Sequence, residues 1–323
     1  MALKQRILEL LRSAGGDFVS GEQLSESLGV SRTAIWKHIR ALREEGYVFE
    51  AVSHRGYRLE QEPNRLTAAA LIANLSTNVL GRQLTLFDEV DSTQNVAHEL
   101  VRQGAEEGTL IIAEQQTQGR GRQGRAWHSP KGKGIYMSLV LKPRIPLHFT
   151  PQLTLLVAVA LCRTMSQYVG DRVGIKWPND LLIDGRKVSG ILLESRADDE
   201  RLHYVVAGIG IGVNLTAEDY PPELHKVATS LRMETGVEID RAAFICAFLA
   251  ELEELYGLYH REGFAPIQAL WEARSVSLGK RVTAVAATGT ITGVAERIDD
   301  SGALMLRLDD GTSLPVYSGL LET

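Results

Sequence analysis

Glu114-Gln-Gln-Thr-Gln-Gly-Arg-Gly-Arg-Gln-Gly-Arg-Ala-Trp127 is the stretch on which the reading of the chain turns. Arg120, Arg122 and Arg125 alternate with Gly119, Gly121 and Gly124, and Trp127 follows. Glycine admits left-handed and sharply bent backbone, so this stretch is neither a stable helix nor an ordinary strand interior. It is a loop that can fold around a ligand and aim planar guanidinium groups at a carboxylate or phosphate. A solvated basic loop, or an arginine–glycine segment touching nucleic acid, is the other reading open at this point. Thr109 to Ala113 before it and Ile135 to Leu141 after it are apolar runs of strand type. The loop therefore joins two strands of a sheet.

Working outward, residues 151 to 169 predict a long apolar helix, most of it core. Strands follow over Arg172 to Trp177, Leu181 to Asp184, Lys187 to Glu194 and Leu202 to Val213, separated by turns at Pro178-Asn-Asp180 and Gly185-Arg186. Ahead of the loop, Leu66 to about Thr85 reads as helical and Leu84 to Phe87 as a strand. A helix carrying Val96, Ala97, Leu100 and Val101 then starts at Asp91-Ser92-Thr93. Those hydroxyls either cap the helix, which the local sequence favours, or bond a neutral polar ligand. Together these elements predict a central mixed α/β domain over 64–275, a sheet with packed helices.

Gly208-Ile-Gly-Ile-Gly212-Val-Asn214 is followed by a loop, not by the helix that a dinucleotide fingerprint requires. No Gly-x-x-x-x-Gly-Lys phosphate loop occurs either. The glycines instead let a ligand approach a strand backbone closely. Lys176 and Lys187 lie on or beside strands, where a lysine can snorkel at an edge. Lys187, at a turn-to-strand junction, is well placed to point its charge at a ligand.

The N-terminal module, 1–63, has its own pattern. Leu3, Ile7, Leu8 and Leu11 share a helix face, ended by Gly15-Gly16. Ser20 with Gln23 resembles a capping box for a helix carrying Leu24 and Leu28. After Gly29-Val30, Ser31 caps a third helix that buries Ile35, Ile39 and Leu42. Its outward face offers Ser31, Arg32, Thr33, Trp36, Lys37 and Arg40. Extended segments Tyr47 to Val52 and Tyr57 to Leu59 flank Ser53-His54-Arg55-Gly56, a basic wing tip. This is a winged helix-turn-helix DNA-binding domain, with a small helical interaction domain as the competing reading. His38 and His54 read as surface residues, and Glu60 to Asn64 as a linker.

From Gly279 short strands recur at Val282 to Ala286, Ile291 to Arg297, Ala303 to Leu308 and Ser313 to Val316. Turn signals at Ala287-Thr-Gly, Asp299 to Gly302 and Asp309 to Gly311 separate them, giving a small SH3-like β-barrel over 276–323 with no catalytic constellation. The helix before it, Ala242 to His260, buries Phe244, Phe248, Leu252 and Leu255. The fold class is thus α+β multidomain.

Charge is uneven along the 323 residues. Positions 1–65 hold ten Lys/Arg against nine Asp/Glu, and the remainder 25 against 31. Residues 28–58 hold six basic to three acidic, so one module of an otherwise acidic protein suits nucleic acid. The apolar run Leu153 to Cys162 is too short to span a bilayer, and charges interrupt the N-terminus too often for a signal peptide. The two cysteines, Cys162 and Cys246, read as buried thiols in a reducing, cytoplasmic setting. There is no Ser/His/Asp arrangement, no paired carboxylates and no metal-ligand spacing among eight histidines. What stands out is cations and amides: Arg120, Arg122, Arg125, Lys187, Gln116 and Asn214. Such a set suits a reaction that brings anions together, such as carboxylate attack on the α-phosphorus of ATP.

Four motifs in order, Gly119-Arg-Gly-Arg-Gln-Gly-Arg-Ala-Trp127, Lys176-Trp-Pro-Asn-Asp180, Arg186-Lys-Val-Ser-Gly190 and Gly210-Ile-Gly-Val-Asn214, resemble those of the biotin–protein ligases. With its N-terminal module, the whole chain resembles the bifunctional bacterial type that also serves as the biotin operon repressor. The resemblance implies activation of biotin by ATP to biotinyl-5′-adenylate, then transfer to a lysine of the biotin carboxyl carrier protein of acetyl-CoA carboxylase. It implies biotin binding by Ser92, Thr93, Gln94, Gln116, Gly119, Arg120, Gly121, Arg122, Lys187 and Gly190. Arg122, Arg125, Trp127, Ser129, Lys187 and Asn214 would bind ATP and the adenylate, and Lys187, Arg120 and Asp180 would be catalytic.

Mg²⁺ would arrive with ATP and have no separate site; Asp180 would position it or the incoming lysine. Ser31, Arg32, Thr33, Trp36, Lys37, Arg40 and Arg55 would meet operator DNA of biotin synthesis genes, as a homodimer formed when adenylate is bound. No membrane partner is implied. One departure is Asp91-Ser-Thr-Gln94 with Asn95 next, where the family often reads Asp-Ser-Thr-Asn. Trp36 is a bulky residue to expose on a recognition helix, so the DNA sequence read could differ from that of relatives. A lipoate–protein ligase, sharing the activation chemistry, and a non-enzymatic repressor sensing a small acid are the alternatives.

Overall fold

The computed structural model of the chain describes residues 3–44, 46–61, 64–198, 202–286 and 289–322. Part of the expected linker at Glu60 to Asn64 and of the turn at Ala287 therefore lies outside the described residues. The chain divides into two compact units, Met1–Arg65 and Leu66–Thr323.

The first unit contains α1 (Leu3–Ser13), α2 (Gly21–Leu28), α3 (Arg32–Glu44), β1 (Val48–Val52) and β2 (Gly56–Gln61). The apolar stripes of the three helices meet with Phe49 in one core. The Ser20 hydroxyl accepts the Gln23 N–H at 3.1 Å and Gln23 Oε1 accepts the Ser20 N–H at 2.8 Å, a reciprocal cap that starts α2. Gly29, at φ 67, ends that helix, and the Ser31 hydroxyl caps α3 by accepting the Ala34 N–H. β1 and β2 pair antiparallel around the wing tip, and Tyr57 exchanges backbone bonds of 2.9 Å with Val19. His54 is exposed and His38 half-buried.

The second unit runs α4 (Ala68–Asn74), β3 (Leu84–Phe87), α5 (Thr93–Arg102), β4 (Leu110–Ala113), β5 (Ile135–Leu141), α6 (Thr150–Val169), β6 (Val173–Lys176), β7 (Asp180–Ile183), β8 (Arg186–Ala197) and β9 (Leu202–Ile211). Helices α7 (Leu231–Thr235), α8 (Arg241–Glu262) and α9 (Ala265–Glu272) follow. The seven strands order as β3-β4-β5-β9-β8-β7-β6, with β3–β4 the parallel pair and the rest antiparallel. One face of the sheet buries Ile112, Met137, Leu139, Ile191, Ala207 and Ile209 in the core that holds α6 and α8. The other face carries α5, whose Ala97 packs with Ile111, Val140 and Val206.

Two expectations need correction. The helix expected over Leu66 to Thr85 is confined to α4. The Glu253 carboxylate of α8 accepts the N–H groups of Asn78, Val79 and Leu80 at 2.6, 2.9 and 2.8 Å, which holds that segment as a docked turn. The apolar run read as ten residues belongs to α6, which by length and hydropathy is the one candidate membrane span among the described residues; 67% of that window is buried inside the protein. It is a core helix because the sheet needs an apolar cover. Short α7 and α9 went unread.

The last module is a five-stranded antiparallel sheet of β10 (Arg281–Ala286), β11 (Gly289–Ile298), β12 (Leu304–Arg307), β13 (Ser313–Val316) and β14 (Leu320–Glu322), in the order β13-β12-β11-β10-β14. β14 was not anticipated. Val282, Ala295, Leu304 and Leu321 share the core cluster of the central sheet.

Candidate active site

The floor of the site is backbone. β9 carries Gly208 and Gly210, and β8 sets Gly190 opposite Gly210. Alternate residues of a strand share a face, so beyond the N-terminus of α5 this side of the sheet lacks side chains at these positions. A cavity of ≈ 440 Å³ lies here, walled by the start of α5, the arginine–glycine loop, the β6–β7 turn, Lys187 and residues Tyr220 to Ala228.

The loop is a tight hairpin. The Trp127 N–H donates to Gly119 O at 2.8 Å and the Gly121 N–H to Arg125 O at 2.7 Å. Its turn, over Arg122–Gly124, holds Gln123 at φ 56. The hairpin lays Trp127 over the glycine floor: a Cβ on Gly210 would fall 2.4 Å from the indole, and one on Gly190 3.1 Å. The indole Nε1 is buried with no hydrogen-bond partner. The close approach expected of a ligand at these glycines is here made by Trp127.

At one end of the cavity neutral polar groups interlock. Thr93 donates its N–H and its hydroxyl to Gln116 Oε1, at 2.9 and 3.1 Å, and Gln116 Nε2 donates to Ser129 Oγ at 3.2 Å. The Ser138 hydroxyl lies 2.8 Å from both Thr93 Oγ1 and Gln94 Oε1. The favoured capping role of Ser92 and Thr93 is overturned: Ser92 makes no side-chain cap, and Thr93, in the first turn, turns toward Gln116 and the sheet. Gln94 is buried where Gly208 leaves room for it; a Cβ there would meet its Oε1 at 2.8 Å. Its Nε2 donates to Glu194 Oε2 at 3.0 Å.

Cations begin at the same Glu194 and continue along the cavity wall. Arg120 donates to Asn95 Oδ1 at 2.5 Å and to Glu194 Oε2 at 3.1 Å. The Glu194 carboxyl is held down to about 2, first by His98 and then by Arg120, against the opposing effect of burial. Lys187 Nζ lies 2.7 Å from Asp180 Oδ1 and 5.4 Å from the Trp127 ring centre. Arg122 donates to Asn179 Oδ1 at 3.1 Å and to Gly319 O at 3.3 Å; burial lowers its pKa and Asp180 opposes this. Arg125 is exposed on the rim.

Ser92, Thr93, Gln94, Gln116, Arg120, Gly121, Arg122, Arg125, Trp127, Asp180, Lys187 and Gly190 all line the cavity. Gly119, Ser129 and Asn214 do not line it. Gly119 closes the hairpin, and Ser129 bonds Gln116 and, at 3.0 Å, Trp127 O. The Asn214 amide is used on Ile239: Nδ2 donates to the carbonyl at 2.8 Å and Oδ1 accepts the N–H at 2.9 Å.

Several residues were missed. Lys176, given the choice of a snorkelling edge position, lines the cavity, as do Asn179 and Leu320. With Gly319 O on Arg122, the C-terminal module does contribute to the site. Ser138 had a signal, a lone hydroxyl inside the apolar run Ile135–Leu141; Gly319 had none.

In the first unit Arg32 pairs with Glu22 at 2.7 Å, and Trp36 is 51% exposed with the Arg40 guanidinium 6.0 Å from its ring centre. Ser31, Thr33 and Lys37 are exposed. Arg55 at the wing tip stacks over Phe18, 4.2 Å from the ring centre, and Arg58 lies at 4.9 Å. α3 and the wing tip thus present cations and a bare indole to solvent.

Comparison with known proteins agrees with these features. Residues 86–214 match the biotin/lipoate A/B protein ligase family, 4–58 an HTH domain, and 277–319 the biotin protein ligase C terminal domain. The bifunctional ligase/repressor BirA of Bacillus subtilis is 46% identical over 320 residues, 99% of this chain and 98% of that protein. Its Escherichia coli counterpart is 31% identical over 306 residues, 95% and 93%. Among solved structures, the biotin protein ligase from Aquifex aeolicus in complex with biotin and ATP is 29% identical, with a TM-score of 0.64 over 75% of this chain and 98% of that one. The chain belongs to the biotin–protein ligase family, in its bifunctional ligase/repressor branch.

Proposed function

We propose that this ligase/repressor joins biotin to ATP in the cavity on the glycine floor. The biotin head group lies against Ser92, Thr93, Gln94 and Gln116, and its carboxylate meets Arg120 and Lys187. The phosphates lie among Arg122, Arg125 and Lys187, with the adenosine against Trp127. The observation that carries this reading is charge. Arg120, Arg122, Arg125, Lys176 and Lys187 line the cavity against one carboxylate, Asp180, among the described lining residues. A biotin carboxylate and a triphosphate repel each other; these cations neutralise both, so catalysis is positioning and electrostatics.

A carboxylate oxygen bonds to the α-phosphorus, the bond to the bridging oxygen breaks, and pyrophosphate leaves. The carrier lysine amine then attacks the mixed-anhydride carbonyl, AMP leaves, and the amine gives up its proton. Mg²⁺ neutralises phosphate charge when it arrives with ATP. No group of three His, Cys, Asp or Glu that could hold an ion occurs among the described residues. Asp180, the carboxylate among the described lining residues, would help hold that ion on the phosphates. The adenylate is also the corepressor, driving homodimerisation and operator binding through α3 and the wing, in the cytoplasm.

Pyrophosphate release with Mg-ATP and biotin, lipoate or octanoate tests the reading. Release with biotin is expected; release with lipoate alone would sink it. Operator binding with biotin alone and no adenylate would favour a non-enzymatic sensor.

A further inference from the structure

The neck of the arginine–glycine loop is closed by a buried ion pair that does not touch the cavity. Glu114 follows β4 and Gly134 precedes β5, so the loop leaves and rejoins the sheet between them. Arg241, the first residue of α8, reaches both ends. Its Nη1 donates to Glu114 Oε2 at 2.7 Å and to Gly134 O at 3.0 Å, and its Nη2 to Glu114 Oε1 at 3.1 Å. The Gly132 N–H donates to Glu114 O at 3.2 Å, and Glu114 Oε1 also takes the Leu66 N–H at 2.8 Å. The Arg241 and Glu114 side chains are 0% and 5% exposed.

Two charges so far from water are costly, and apolar side chains of similar volume often fill such a space without loss of stability. Stability alone is therefore a weak account of the pair. Its position is specific: it ties together the two ends of the segment that carries Arg120, Arg122, Arg125 and Trp127. We infer that Glu114 and Arg241 are positioning residues of the ligase reaction. They clamp the neck of the loop so that it opens and closes as a hairpin on a fixed base and keeps its cations and indole in register over the adenylate. The inference rests on the proposed reading of the loop as the wall of the adenylate site.

The test follows three properties of the full-length protein. These are melting temperature, tryptic cleavage after Arg120, Arg122 or Arg125 read by mass spectrometry, and release of preformed biotinyl-adenylate. Glu114→Gln alone strands a buried guanidinium and lowers the melting temperature. The deciding variants are the double Glu114→Gln/Arg241→Met, which removes both charges, and Arg241→Lys, which keeps the cation but cannot span carboxylate and carbonyl. In either variant, at near-native melting temperature, loop cleavage is expected to rise about tenfold and adenylate release about ten- to a hundredfold. Cleavage elsewhere in the chain should stay unchanged. Native cleavage and release in these folded variants would overturn the clamp, as would faster cleavage with unchanged release. Failure of the native protein to form adenylate would instead remove the reading on which the inference rests.

Discussion

The Trp127 indole lies so close to Gly210 that a Cβ on that glycine would stand 2.4 Å from its ring. The side chain comes from the arginine–glycine loop and the glycine from β9, so this contact is where loop and floor meet. Gly210→Ala should displace the indole and cost about 1 to 3 kcal/mol of packing if the protein resists. Adenylate formation measured by pyrophosphate release is expected to fall at least about tenfold, corresponding to about 1.4 kcal/mol. Native kinetics in this variant would mean that Trp127 has no part in binding.

Lys187 is held by Asp180 at the edge of the same floor. Lys187→Ala and, separately, Arg120→Ala should abolish measurable adenylate formation. Each loses charge-assisted contacts worth about 1.5 to 3 kcal/mol apiece, to carboxylate and phosphate together. Circular dichroism should report a folded protein, since both side chains lie at the cavity wall and not in the core.

Arg122 bonds Asn179 and the Gly319 carbonyl, tying the loop's turn to the β6–β7 turn and the C-terminal module. Arg122→Gly should loosen retention of the adenylate by about 1.5 to 3 kcal/mol. Biotinylation of bystander lysines, detected by blotting, should then appear. Unchanged selectivity for the carrier would count against a retaining role.

Glu194 sets a pH dependence. Its carboxyl is held from an ordinary 4.5 down to about 2 in the folded protein, chiefly by His98 and Arg120. A carboxylate depressed in this way stabilises the fold above its unfolded value and loses that contribution as pH falls toward 2. With a third of the side chain in solvent, about 1 kcal/mol is expected after screening. Thermal melts of native protein and Glu194→Gln should therefore differ at pH 6 and converge as the pH approaches 2. Curves that run parallel throughout would rule out this linkage.

In the first unit Phe18 carries the guanidinium groups of Arg55 and Arg58. Phe18→Ala should release the wing-tip arginine and weaken operator binding by about 0.5 to 1 kcal/mol, the usual worth of an exposed cation–π contact. Fluorescence anisotropy at fixed salt measures it, and adenylate formation should be untouched.

Through the family resemblance, the chain's motifs named twelve residues that line the cavity, two of them glycines. The sequence by itself determined the helix stripes of the first unit and most strands of the central sheet. These are local properties: spacing sets which face of an element is apolar, and glycine sets where the chain can bend. Only the tertiary structure decided which distant segments meet. Strand pairing put Gly190 opposite Gly210; docking of α8 put Arg241 on Glu114. It also redirected groups whose local reading was reasonable. Ser92 gave up its cap, Asn214 spent its amide on Ile239, and Gly319 supplied a carbonyl to Arg122. A buried polar group takes whichever partner the packed chain brings within hydrogen-bond reach, and sequence spacing carries no record of a neighbour two hundred residues away.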